Sequence, residues 1–128
     1  MDISELVADF LESLEIEKGR SAKTVENYGL YLARFINLIT EDFEGQEMIK
    51  PSDITPEVFR RFRLKLNRFS DNQNKERLSA LTQSYHLIAL RGFFKYLAKR
   101  GIKSLDPSLI DLPRAAKKQV TFLHFDEI

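Results

Sequence analysis

Apolar residues recur along most of the chain with the period of an amphipathic helix. Ile3, Leu6, Val7, Phe10, Leu11 and Leu14 stand at i, i+3, i+4, i+7, i+8 and i+11, which at about 100° per residue gathers them on one face. The spacing predicts a first helix over about residues 3–17, opened by Asp2 and Glu5 as a capping box. Lys18-Gly19-Arg20 closes it, with Gly19 supplying the left-handed residue that helix ends favour. Ser21 then caps a second helix over about 22–40, whose inner face is Val25, Tyr28, Leu32, Phe35, Ile36 and Ile39. So short a connection predicts antiparallel packing of the pair.

Residues 41–54 are acidic and aperiodic, and read as a loop pinned to the core by Met48, Ile49 and Ile54. Thr55-Pro56-Glu57 opens a third helix: a capping threonine, a proline where its missing N–H costs nothing, and an acid near the positive end of the dipole. Its core face is Val58, Phe59, Phe62, Leu66 and Phe69. Between these stand Arg60, Arg61, Arg63, Lys65 and Arg68, facing outward, and solvated surface and phosphate contact are both open to them. A polar connection over 70–76 leads to Leu78, Leu81 and Thr82 and a fourth helix that Gly101 ends. Gly29 and Gly92 fall inside helices, each at a cost of about 1 kcal/mol relative to alanine.

The fourth helix carries two different faces. Leu87, Leu90, Phe93, Phe94 and Leu97 form a core side, while Ser84, Ile88, Arg91, Lys95 and Lys99 line the other. A basic stripe on a helix is commonly just a solvated face. The charge distribution changes that picture. A formal net charge of +1 conceals 5 Lys+Arg against 13 Asp+Glu in residues 1–57, and 15 against 4 in residues 58–120. Two readings follow: the halves pack and neutralise one another, or one face is kept positive for a polyanion.

Other chemistry is sparsely supplied. Without cysteine there are neither disulfides nor thiolate sites, and His86 and His124 are too few for a metal centre, so no cofactor is expected. His86 reads as an interior histidine with satisfied hydrogen bonds, and Tyr28, Tyr85 and Tyr96 as core aromatics with hydrogen-bonded hydroxyls. The chain has no carboxylate pair at defined spacing, no glycine-rich phosphate loop and no nucleophile–histidine arrangement, so no catalytic residue is assigned. The acidic start Met1-Asp2-Ile3-Ser4-Glu5 and the charge-broken apolar runs predict a soluble, cytoplasmic protein.

After Asp106-Pro107, residues Ile110, Leu112 and Pro113 give way to Arg114-Ala115-Ala116-Lys117-Lys118-Gln119, which lacks a core face as an extended linker would. The organisation expected is one helical domain over 1–110, then a linker over 111–128 that reaches the beginning of another domain.

Laid out in this way, the chain resembles the N-terminal core-binding domain of tyrosine recombinases, the family of phage integrases and Xer-type chromosome-resolving recombinases. The matching pieces are Phe10-Leu11 to Gly19; Ser21 to Tyr28 with Leu32 and Phe35; Tyr85 with Ala89 to Leu97; Asp106-Pro107; and Phe122-Leu123 with Asp126-Glu127-Ile128. The resemblance implies an all-α, four-to-five-helix SAM-like bundle with an extended C-terminal linker. Such a bundle clamps one side of double-stranded DNA, its second and fourth helices at the major groove. Catalysis in the family belongs to a separate domain with a nucleophilic tyrosine, and no tyrosine follows Tyr96 here.

Carried over by position, the DNA-binding candidates are Ser21, Lys23, Thr24 and Asn27 on the second helix, where free N–H groups suit phosphate. On the fourth helix they are Thr82, Ser84, Tyr85, Ile88, Arg91 and Lys95, with Arg91 foremost; along the linker they are Arg114, Lys117 and Lys118. Ser21 also has a plain role as a helix cap. The partners implied are a recombination-site arm and other recombinase protomers, with no membrane. The competing reading is a helical adaptor whose basic face meets an acidic protein partner.

Overall fold

A computed structural model describes residues 2–69 and 77–112. Four helices carry the architecture: α1 (Ile3–Ile16), α2 (Ala22–Ile39), α3 (Pro56–Arg68) and α4 (Ala80–Lys99), with single 3-10 turns at Thr40–Phe43, Pro51–Asp53 and Pro107–Leu109. Among the described residues the fold is all-α, as the periodicity and the resemblance led one to expect. Among the described residues no helix is long and apolar enough to cross a membrane.

Local signals set most helix ends. Ser21 Oγ accepts the Thr24 N–H at 3.2 Å, and Thr55 Oγ1 accepts the Val58 N–H at 3.2 Å with Pro56 in the first turn. Gly19 takes φ +62°, a conformation costly for any side chain, and lets the Arg20 N–H reach back to the Leu14 carbonyl at 2.9 Å. The capping box expected at Asp2 does not form. Asp2 occupies the cap position, but its carbonyl rather than its side chain takes the Glu5 N–H, at 3.1 Å. The start of α1 is anchored instead by the Ile3 N–H donating to the Ile49 carbonyl at 2.8 Å.

Antiparallel packing of α1 on α2 is seen at both ends. Phe10 meets Tyr28 at 6.3 Å between centroids, and Ile3 and Ile36 line one hollow at the other end. The two helical glycines both face α1: a Cβ at Gly29 would lie 3.4 Å from Leu11 Cδ1, and one at Gly92 3.5 Å from Phe10 Cζ. Phe10 therefore sits between α2 and α4, also touching Phe93 and Tyr96 at 5.6 and 5.4 Å.

The core is an aromatic cluster threaded by α4. Leu87, Leu90, Phe93, Phe94 and Leu97 are all buried, as the sequence spacing predicts. Phe35 of α2 stands edge-on to Phe62 of α3 and to Phe94. Beyond α4, Leu105 and Ile110 are buried and the Pro107–Leu109 turn packs on α4, capped by Asp106 Oδ1 accepting the Ser108 N–H at 2.9 Å. Within residues 41–54, Ile49 and Ile54 are buried as expected, but Met48 is 43% exposed and pins nothing. Of the expected linker, Asp111 and Leu112 are described, Leu112 packing partly against the core; the remainder lies outside the described residues.

Candidate nucleic-acid interface

Two helix starts repeat one local device. Ser21-Ala22-Lys23-Thr24 and Ser79-Ala80-Leu81-Thr82 each place a serine hydroxyl under the N–H three residues on, and each serine also donates to that threonine's Oγ1, at 3.0 Å in both cases. The caps leave the remaining first-turn N–H groups of α2 and α4 at the positive ends of their dipoles.

On α2, Lys23, Asn27, Tyr31 and Arg34 stand at i, i+4, i+8 and i+11, a single helical face beside the buried Leu32, Phe35 and Ile39. On α4, Tyr85, Ile88, Lys95 and Lys99 likewise share one side, with Arg91 alongside. The α2 face borders α4 at Tyr31, whose ring lies 4.4 Å from that of the buried His86. Burial pushes the Tyr31 hydroxyl pKa up, and the neighbouring Tyr85 adds to the rise.

His86 has no exposed surface, and both ring nitrogens are engaged. Nδ1 lies 2.8 Å from the Thr82 carbonyl, an oxygen that only accepts, so Nδ1 carries the proton. Nε2 is then left as the acceptor for Arg34 Nη1 at 3.1 Å. Burial foremost, and the adjacent Arg34 charge, push the His86 pKa below its ordinary value, against the Thr82 hydrogen bond that raises it. The imidazole is accordingly neutral. The Arg34 guanidinium carbon also lies 4.6 Å from the centre of the Phe69 ring.

The basic run on α3 behaves differently. Arg60 pairs with Glu57 at 2.7 Å, and Arg61 reaches both Glu57 and Asp42. Lys65 Nζ lies 2.6 Å from Glu41, 3.3 Å from Asp42 and 3.0 Å from the Leu38 carbonyl. Burial pulls the Lys65 pKa down, but the Glu41 and Asp42 contacts outweigh it and the net shift is upward. At the end of α4, Arg100 is likewise taken by Asp9 at 3.3 Å and the Tyr96 hydroxyl at 3.0 Å. In contrast, among the described residues no carboxylate lies within 4.0 Å of Lys23, Arg34, Arg91, Lys95 or Lys99. Neutralisation between the halves of the chain therefore takes Arg60, Arg61 and Lys65 of α3, leaves Arg63 and Arg68 without a carboxylate within 4.0 Å among the described residues, and spares the faces of α2 and α4.

Of the residues singled out in the sequence, Ser21, Lys23 and Lys95 are exposed, while Thr24, Asn27, Thr82, Tyr85, Ile88 and Arg91 are half-buried. Ser84 does not lie on the outward side. It has no exposed surface, and its hydroxyl donates back to the Ala80 carbonyl at 2.9 Å, a bond a short hydroxyl makes readily within a helix. Arg91 is half-buried, and its Nε is enclosed with no hydrogen-bond partner among the described residues. His86 is the interior histidine expected, and the Tyr96 hydroxyl is hydrogen-bonded. Arg114, Lys117 and Lys118 lie outside the described residues. Sequence reasoning missed Tyr31 and Arg34; the signal that finds them is the i, i+4, i+8, i+11 stripe begun by Lys23 and Asn27.

Comparison with known proteins agrees with this geometry. Residues 7–101 match the family model described as phage integrase, N-terminal SAM-like domain. The tyrosine recombinase XerC of Xylella fastidiosa is 30% identical over 126 residues, covering 98% of this chain and 39% of the relative. XerD of Listeria monocytogenes is 27% identical over 129 residues with the same coverage, and XerC of Natranaerobius thermophilus is 31% identical over 121 residues, 94% of this chain and 37% of the relative. The chain thus spans well under half the length of these relatives. No solved structure matches it significantly. The chain belongs to the phage integrase N-terminal SAM-like domain family, and corresponds to the N-terminal domain of a tyrosine recombinase.

Proposed function

We propose that this domain binds double-stranded DNA through the outward faces of α2 and α4, gripping one side of a recombination-site arm while strand cleavage is carried out by a catalytic domain outside this chain. The observation that carries the reading is the contrast in charge pairing. Arg60, Arg61 and Lys65 on α3 and Arg100 at the end of α4 are held by Glu41, Asp42, Glu57 and Asp9, whereas Lys23, Arg34, Arg91, Lys95 and Lys99, like Arg63 and Arg68 on α3, have no carboxylate within 4.0 Å among the described residues. Unneutralised cations on two helices that meet at Tyr31 and His86 suit a phosphate backbone, and a major groove is wide enough to admit a helix.

In this reading Lys23 and Lys95 neutralise phosphates. Asn27 and Arg91 are the side chains for base edges, since an amide matches adenine and a guanidinium matches guanine. Ser21 and Thr24 act chiefly through the cap that orients the α2 N–H groups. The chain itself is non-catalytic, and its further partners are the other protomers of a recombination assembly.

Fluorescence anisotropy of the 128-residue chain against a labelled duplex of about three helical turns tests the reading. Binding at low salt that weakens steeply as salt rises is the expected result, because released counterions drive phosphate binding. Indifference to duplex at every salt concentration, with capture of an acidic protein partner instead, overturns it.

A further inference from the structure

We propose that Arg34 is a DNA-phosphate contact and that His86 is its positioning residue, an uncharged acceptor that aims the guanidinium without neutralising it. The inference rests on the DNA-binding reading above and goes beyond it by naming a residue pair that the sequence motifs do not single out.

Three observations carry it. Arg34 belongs to the same face of α2 as Lys23, Asn27 and Tyr31, at the seam where α2 meets α4. Among the described residues its orientation is fixed by two contacts, Nη1 to His86 Nε2 at 3.1 Å and the guanidinium over the Phe69 ring at 4.6 Å. Neither contact carries negative charge.

The alternative arrangement is present in this same molecule: Arg60, Arg61 and Arg100 are all oriented by carboxylates, which fix a guanidinium but cancel its field. A neutral imidazole fixes one while leaving the full positive charge for an incoming phosphate, and leaves donors of the planar fork free for it. His86 can serve because it is itself immobile. Its Nδ1–H is tied to the Thr82 carbonyl one turn earlier, its ring is covered by Tyr31, and it has no exposed surface. Ordering an arginine before binding removes part of the entropy cost that a free side chain would meet on contact.

Substitutions at His86 separate positioning from packing, because asparagine and glutamine each reproduce one ring nitrogen. His86→Gln retains an acceptor where Nε2 faces Arg34; His86→Asn retains the donor to Thr82 and loses the acceptor. Duplex affinity and its salt dependence are measured for the wild-type chain, Arg34→Gln, His86→Gln, His86→Asn and the double variant Arg34→Gln/His86→Asn. Circular dichroism establishes that each is folded under the binding conditions.

Arg34→Gln is expected to weaken binding about tenfold and to reduce the slope of log affinity against log salt by about one. His86→Asn reproduces most of that loss, His86→Gln restores it, and His86→Asn adds nothing once Arg34 is gone. Wild-type affinity and slope in Arg34→Gln overturn the phosphate role. Equal losses in the two His86 variants, or a His86→Asn effect undiminished without Arg34, overturn the positioning role. Failure of the wild-type chain to bind duplex at all would instead remove the DNA-binding reading itself, and this inference with it.

Discussion

Phe35 and Phe62 meet edge to face at the centre of the molecule, ring centroids 4.8 Å apart and planes inclined at 82°. Both rings are almost wholly buried, and Phe35 repeats the arrangement with Phe94 at 6.2 Å and 85°. This one ring therefore joins α2 to both α3 and α4. Phe62→Ala is expected to cost about 3–5 kcal/mol of folding stability in urea denaturation, the range for a truncated core aromatic. A double-mutant cycle with Phe35→Leu should leave a coupling of about 0.5–1.5 kcal/mol, and purely additive losses would contradict the edge-on contact.

Arg91 carries a cost to the fold. Its Nε is enclosed without a partner among the described residues, a condition that costs a folded chain about 1–3 kcal/mol. Arg91→Met keeps the aliphatic stem and removes both the unmet donor and the charge. Thermal unfolding should show stability unchanged or raised, while duplex affinity falls by about 1–3 kcal/mol if the guanidinium reads a guanine. A destabilised variant with undiminished affinity would mean that Arg91 serves the fold and not the DNA.

The Arg34–His86 contact also gives stability a pH dependence. Burial and the Arg34 charge hold the His86 pKa down, so the unfolded chain takes up a proton near the ordinary value of about 6.5 and the folded chain at lower pH. The contribution is complete above about pH 6.5 and declines as pH falls below it, by at most about 1.4 kcal/mol per unit until the folded pKa is reached. The groups facing the imidazole are Arg34 and Tyr31 from α2 and the Thr82 carbonyl of its own helix. Denaturation at pH 7.5 and 5.5 should show a larger loss in the wild type than in His86→Gln; identical losses would count against a neutral buried imidazole.

On α3 the expectation is reversed. Lys65, 24% exposed in its side chain, ties α3 to Glu41, Asp42 and the Leu38 carbonyl. Lys65→Ala should lower stability by about 1.5–3 kcal/mol, the range for hydrogen bonds to charged groups. Duplex affinity of the folded variant should stay within about twofold. A salt slope reduced by about one would place this face on the DNA after all.

The parts of this arrangement legible in the sequence are those decided within one helix. Apolar spacing gives the core face of α4, and Ser21, Thr55 and Gly19 act on backbone groups three to six residues away. Where neighbours distant in sequence decide the outcome, the sequence is silent. Lys65 meets Glu41 and Asp42 some two dozen residues earlier, and Arg34 meets His86 across 52. Ser84 shows a limit of the helical wheel itself. Its angle is that of Arg91 and Lys95, yet a short side chain that bonds to its own helix is easily covered. Asp2 failed as a capping box because its carbonyl already takes the N–H that the box requires.

The most direct test of the account is a map of which backbone amides respond to DNA. Nitrogen-edited spectra of the labelled chain, recorded through a duplex titration, are predicted to shift at Lys23, Asn27, Tyr31 and Arg34 of α2 and at Tyr85, Ile88, Arg91 and Lys95 of α4, with Arg60 to Lys65 of α3 unmoved. Shifts centred on α3, or none on α2 and α4 while the duplex is bound, would contradict it.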